Sequence, residues 1–174
     1  MTAGATVWFT GLPASGKTTL ARAVASSLRD TGDARHVIDG DDLRTGLTSD
    51  LGFSREDRAE SVRRAGEVAL ILGRAGVVAL TSLVSPYRDD RAKVRGRHRV
   101  AGLPFVEVYV ATPLSVCESR DPKGLYARAR RGELSGMTGV DDPYEAPEAP
   151  NVLFTSEQHS LEDGVALVLR CLGR

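Results

Sequence analysis

Residues 11–18 read Gly11-Leu-Pro-Ala-Ser-Gly16-Lys17-Thr18, which is the spacing G-x-x-x-x-G-K-[ST]. The stretch lies between a short apolar run and a helical pattern, the context this motif requires. The glycines let the backbone curl so that successive N–H groups point inward, and the following helix turns its positive end to the same place. Lys17 supplies a point charge for the β- and γ-phosphate oxygens, and the Thr18 hydroxyl is placed to meet Mg²⁺. Gly11, Ala14, Ser15, Gly16, Lys17, Thr18 and Thr19 are therefore expected to cradle ATP. A loop of this kind needs a strand before it and a helix behind it, which confines the chain to parallel α/β architectures.

The rest of the chain has the matching rhythm. Apolar β-type runs occur at 6–10, 35–38, 77–83, 105–111 and 152–155, separated by longer helical patterns. A helix over about 17–29 puts Leu20, Val24, Ala25 and Leu28 on one face. A second starts at Ser54, with Asp57 three residues on, and its Val62, Ala65, Ala69 and Leu72 keep the amphipathic period. Ser160 and Asp163 open the last helix in the same relation, with Leu161, Val165, Val168 and Leu172 as its buried stripe. Trp8 and Phe9 are expected in the core. Continuously apolar strands, each followed by a helix, argue for a sheet covered on both faces. The expected fold is a three-layer α/β P-loop NTPase-like domain with a five-stranded parallel sheet, one domain over 1–174. The first strand begins almost at Met1, so no fused domain or long N-terminal extension is expected.

Residues 120–150 break the rhythm, with Pro122, Pro143, Pro147, Pro150 and four glycines. Long loops in compact domains are usually functional, and Lys123, Arg128, Arg130 and Arg131 suit closure over phosphates, so a lid is expected. Tyr126 reads as lid packing. Equal numbers of acidic and basic residues, 23 each, give no general pull toward nucleic acid or an anionic membrane. The basic run that includes Arg91, Lys93, Arg95 and Arg97 reads as the solvated face of a surface helix. No apolar stretch approaches a membrane span, no N-K-x-D guanine-reading motif occurs, and His36, His98 and His159 lack ligand spacing. Cys117 and Cys171 are expected as reduced, semi-buried thiols in a cytoplasmic protein.

The second strand ends in Asp39-Gly-Asp41-Asp42-Leu-Arg44. Ligands in open parallel sheets bind beyond the carboxyl ends of the strands, so these acids should face the site as a general base or a Mg²⁺ contact. With the motifs Leu51-Gly-Phe-Ser, Asp57-Arg58, Arg63-Arg64, Ser85-Pro-Tyr87, Arg120-Asp-Pro-Lys123-Gly-Leu-Tyr126 and Thr138-Gly-Val-Asp-Asp-Pro-Tyr-Glu145, in collinear order, the chain resembles the adenylylsulfate (APS) kinase family. That resemblance implies a kinase that moves the γ-phosphate of ATP to the 3′-hydroxyl of APS, giving ADP and PAPS in sulfate activation. It implies Asp41 as the base, Asp39 and Thr18 at Mg²⁺, and Lys17 and Lys123 neutralising charge. It also implies Arg44 and Arg58 on the acceptor's phosphate and sulfate, Phe53 on its base, and Leu125 closing over it. Ser85 is a candidate for a chemical role, and relatives of this kind are often homodimers.

Three positions depart from the family pattern: Asp42 for Asn, Ser61 for an Asn that helps hold the acceptor, and Met137 for a Phe that would sandwich the adenine with Phe53. Two other readings are therefore carried. One is a related phosphotransferase acting on a different nucleotide or small alcohol; the other is a nucleotide-binding regulatory subunit with little catalysis.

Overall fold

Each of the five apolar runs forms a strand in the computed structural model, which describes residues 4–30 and 32–174. The strands are β1 (Ala5–Thr10), β2 (Arg35–Asp39), β3 (Val78–Ser82), β4 (Phe105–Val110) and β5 (Val152–Phe154). All pairings are parallel, in the order β2-β3-β1-β4-β5. β1 lies at the centre and is buried along its whole length, which is why its sequence does not alternate.

The helices are α1 (Lys17–Asp30), α2 (Gly40–Arg44), α3 (Arg55–Arg74), α4 (Arg88–Val100), α5 (Leu114–Arg120), α6 (Leu125–Arg130) and α7 (Leu161–Cys171). On one face of the sheet, Leu20, Val24 and Leu28 of α1 and Val168 of α7 pack on Val7, Phe9, Leu80 and Val108. On the other, Val62 and Ala65 of α3 and Val94 of α4 surround the fully buried Trp8. The three-layer expectation holds. α3 and α4 come close because Gly66 has no side chain: a Cβ there would stand 2.8 Å from Val94. The predicted caps form, with Ser54 accepting from Asp57 N and Ser160 and Asp163 making a reciprocal box.

Several expectations are corrected. The basic run on α4 is not a purely solvated face: Asp90, Arg91, Val94 and His98 are buried. Arg91 is only 3% exposed because Glu107 of β4 meets its guanidinium at 3.1 Å. His98 is held between Thr6 Oγ1 and Val94 O, each at 2.9 Å, and its ring leans on Phe105. Leu161 is partly exposed rather than buried. Cys117 is buried and Cys171 exposed, both as free thiols.

The 120–150 segment is neither an unstructured linker nor a bare loop. It contains α6, and Tyr126 and Met137 are buried with Cys117 against Leu12 and Leu114. Among the described residues no helix is long and apolar enough to cross a membrane, and no cluster of three His, Cys, Asp or Glu could hold a metal.

Candidate active site

The phosphate loop leaves β1 at Gly11 with φ +153°, and a Cβ there would stand 2.5 Å from Val110 O. Only glycine fits so close to the neighbouring strand. Gly16 has φ 102° and Ala14 φ 61°. The second is an unfavourable conformation for a residue with a side chain, and it persists where surrounding structure holds it. That hold is visible: Thr112 Oγ1 donates to Ser15 O at 2.7 Å.

Lys17 opens α1, and its ammonium donates to Leu12 O at 2.7 Å. Burial strips it of water and lowers its pKa to about 8, against partial compensation from Asp39 and Asp41. Thr18 Oγ1 donates to Asp39 Oδ2 at 2.8 Å and accepts from Ser82 Oγ at 2.9 Å. Asp39 uses its other oxygen to accept from Asp41 N at 2.9 Å, capping α2. This short helix was missed at the sequence level, and it carries Asp41 and Arg44 into the lining of the site. The oxygen donors of Thr18, Asp39 and Ser82 suit a hard cation such as Mg²⁺, which takes one or two protein oxygens and completes its shell with phosphate and water.

These groups open into one cavity of about 1220 Å³. Ala14, Ser15, Gly16, Lys17, Thr18 and Thr19 line one part of it. Asp39, Asp41, Arg44, Phe53 and Arg58 line another, and Lys123, Leu125 and Met137 of the lid line the cavity as well. Gly11, Ser61 and Ser85 do not line it. Gly11 shapes the turn behind it, and Ser61 sits on α3. Ser85 is buried, and its hydroxyl accepts from Trp8 Nε1 at 3.1 Å.

The lid is tied down over the site. The Lys123 ammonium pairs with the Asp41 carboxylate, both side chains more than half exposed. Arg58 donates to Phe53 O at 3.0 Å and to Gly136 O at 2.5 Å, and stands 3.6 Å from the Asp142 carboxylate. The Arg44 guanidinium lies 4.5 Å from the Phe53 ring centroid, a cation–π distance. Burial, then the nearby Arg58 charge, lowers its pKa. Met137 faces inward as well as toward the cavity, packing with Cys117 and Tyr126, and Tyr126 OH donates to Pro13 O at 2.9 Å.

The cavity has a further end that sequence reasoning missed, built by Arg120, Phe154, Ser156, His159 and Leu161. Arg120 donates to Ser156 Oγ at 3.0 Å, and the His159 ring stacks on Phe154 at 5.7 Å between centroids. Arg120 opens one of the motifs quoted above, with no role given to it there, and no motif marks the other four. For those four the one available signal was topological, since they lie at or after the carboxyl end of β5. Ser82 escaped notice for the same reason.

Known proteins share this arrangement. The profile of a family described as adenylylsulphate kinase matches residues 3–155. An adenylyl-sulfate kinase of Lactiplantibacillus plantarum is 52% identical over 95% of this chain and 79% of its own. One of Picosynechococcus is 49% identical over 97% of this chain and 93% of its own. The solved structure of the Mycobacterium tuberculosis APS kinase CysC in complex with AMPPNP and APS superposes with a TM-score of 0.95 at 45% identity, covering both chains fully. A phosphate loop, strand-end carboxylates and a basic lid around one cavity, with half the residues shared along nearly the whole length, leave one conclusion: this chain belongs to the adenylylsulphate kinase family.

Proposed function

We propose that the protein transfers the γ-phosphate of ATP to the 3′-hydroxyl of adenylyl sulfate, giving ADP and PAPS. The observation that carries this is that the Lys17 ammonium and the Asp41 carboxylate open into the same cavity. Its volume exceeds the 300–1,000 Å³ usual for one small ligand, which suits a donor and an acceptor held together. The M. tuberculosis relative, solved with AMPPNP and APS, supports the same pairing.

Asp41 takes the proton of the acceptor hydroxyl, whose oxygen forms a bond to the γ-phosphorus. The bond from that phosphorus to the β–γ bridging oxygen breaks, and its electron pair leaves with ADP. Lys17 and the loop amides hold the phosphates in line, and Lys123, leaving its pairing with Asp41, meets charge on the transferring group. Thr18 and Asp39 would hold Mg²⁺, which would neutralise phosphate charge. Arg44 and Arg58 face the acceptor's anionic groups, with Phe53 and the Gly136–Met137 wall about its base. The donor base occupies the end formed by Arg120 and the β5–α7 loop. Ser85 takes no part, because its buried hydroxyl is committed to Trp8.

Of the three departures that had argued for a different acceptor, Asp42 and Ser61 lie outside the cavity, which weakens that alternative. A regulatory role without catalysis is disfavoured because Lys17, Thr18, Asp41 and Lys123 share one site. Initial rates with ATP and adenylyl sulfate, set against a panel of other nucleotides and alcohols, test the reading. Formation of PAPS is expected, and transfer to another acceptor alone would overturn it. A homodimer in the cytoplasm accompanies this reading, and light scattering tests the oligomeric part.

A further inference from the structure

Two side chains used in no step above join the same pair of segments near the acceptor end. Thr10, the last residue of β1, donates its hydroxyl to Val84 O at 2.7 Å and accepts from Tyr144 OH at 2.9 Å. Arg91 donates to Ser85 O and to Glu145 O, each at 2.6 Å, with its Nε on Glu107 Oε1 at 3.1 Å. Consecutive residues 84 and 85 of the β3–α4 loop are thus bridged to consecutive residues 144 and 145 of the lid's exit. Glu145 N donating to Pro86 O at 2.8 Å reinforces the join.

Both segments lead to the cavity. Val84 lines it directly, and so do Gly136, Met137 and Thr138 of the lid. The lid stretch between is kept in register by Gly139 N donating to Asp142 O at 2.8 Å and by Tyr87 OH donating to the Asp142 carboxylate. Ser85 has φ 40°, a conformation that a residue with a side chain keeps only where its surroundings over-determine it. Here the surroundings are Trp8 on its hydroxyl and Arg91 on its carbonyl.

We propose that Thr10 and Arg91 are positioning residues: a two-point clamp that sets the gap between Val84 and the Gly136–Thr138 wall, and so tunes acceptor affinity without touching the acceptor. The clamp's substrate rests on the acceptor reading above, whereas its mechanics do not. Arg91→Lys keeps the charge but loses the fork that reaches both carbonyls, and Tyr144→Phe removes only the hydroxyl that meets Thr10.

Kinetics and amide hydrogen exchange are measured on the full chain. Each variant is expected to raise KM for adenylyl sulfate roughly 3–10-fold, while KM for ATP stays within about 2-fold. Exchange should quicken over 82–86 and 134–145 and stay unchanged over 11–18. An equal rise in both KM values, or a lower active fraction with acceptor KM unmoved, would mark a merely structural bond and overturn the clamp. Should Arg91→Lys fail to fold, Tyr144→Phe carries the same test. If the wild type does not turn over adenylyl sulfate, the acceptor reading fails on its own, and the exchange data decide the clamp: unaltered exchange in both segments sinks it.

Discussion

Burial deprives the Lys17 ammonium of hydration, and a pKa of about 8 places its titration close to working pH. The sign follows from linkage: a bound triphosphate favours the charged lysine and raises its pKa, so nucleotide binding takes up a proton in the window from about pH 8 upward. Nucleotide affinity should therefore fall as pH climbs through that window. Calorimetry in buffers of different ionisation enthalpy should show fractional proton uptake at pH 8.5, and Lys17→Met should abolish it. Lys17→Ala and Asp41→Ala should each slow phosphate transfer by at least ~100-fold, one by removing charge stabilisation and the other the proton acceptor. Single-turnover rates measure this, and near-normal transfer by either variant would undo its role.

Gly164 on α7 sets two effects of similar size against each other. Alanine in a helix interior is favoured over glycine by about 1 kcal/mol, but a Cβ at 164 would stand 2.6 Å from Phe154 and 2.9 Å from Leu20. Overpacking of that kind costs about 1–3 kcal/mol, so Gly164→Ala should destabilise on balance, by denaturant midpoint. Because Phe154 also lines the cavity, the same change should weaken ATP binding. Elements also explain what could be read in advance. The strands were legible because both faces of the sheet are covered, which leaves unbroken apolar runs. α2, α5 and α6 were not, since five to seven residues are too few to show a helical period. The phosphate end of the site is one contiguous motif. Its far end is assembled from Arg120 and the β5–α7 loop, which only folding brings together. Arg91 looked like surface because its burial depends on Glu107, sixteen positions on and in another layer.

Across the molecule, the lid closes mainly through packing. The Lys123–Asp41 pair is largely exposed, and pairs of that kind contribute only about 0–1 kcal/mol and are screened by salt. Lys123→Ala is therefore expected to shift the melting temperature by less than ~2 °C while lowering kcat at least ~10-fold. A large thermal shift would mean that the pair holds the fold rather than serving the reaction.

The lid is also fastened at two points to the strand-and-turn that cradles phosphate: Tyr126 on Pro13 and Tyr144 on Thr10. With both ends fixed to the same frame, the span between them is held at its middle by Arg58 on Gly136 O, and Gly132, Gly136 and Gly139 there all have positive φ. Any lifting of that span must first free Arg58 from Gly136 O, so an arginine that lines the cavity is also the latch on the flap beside it.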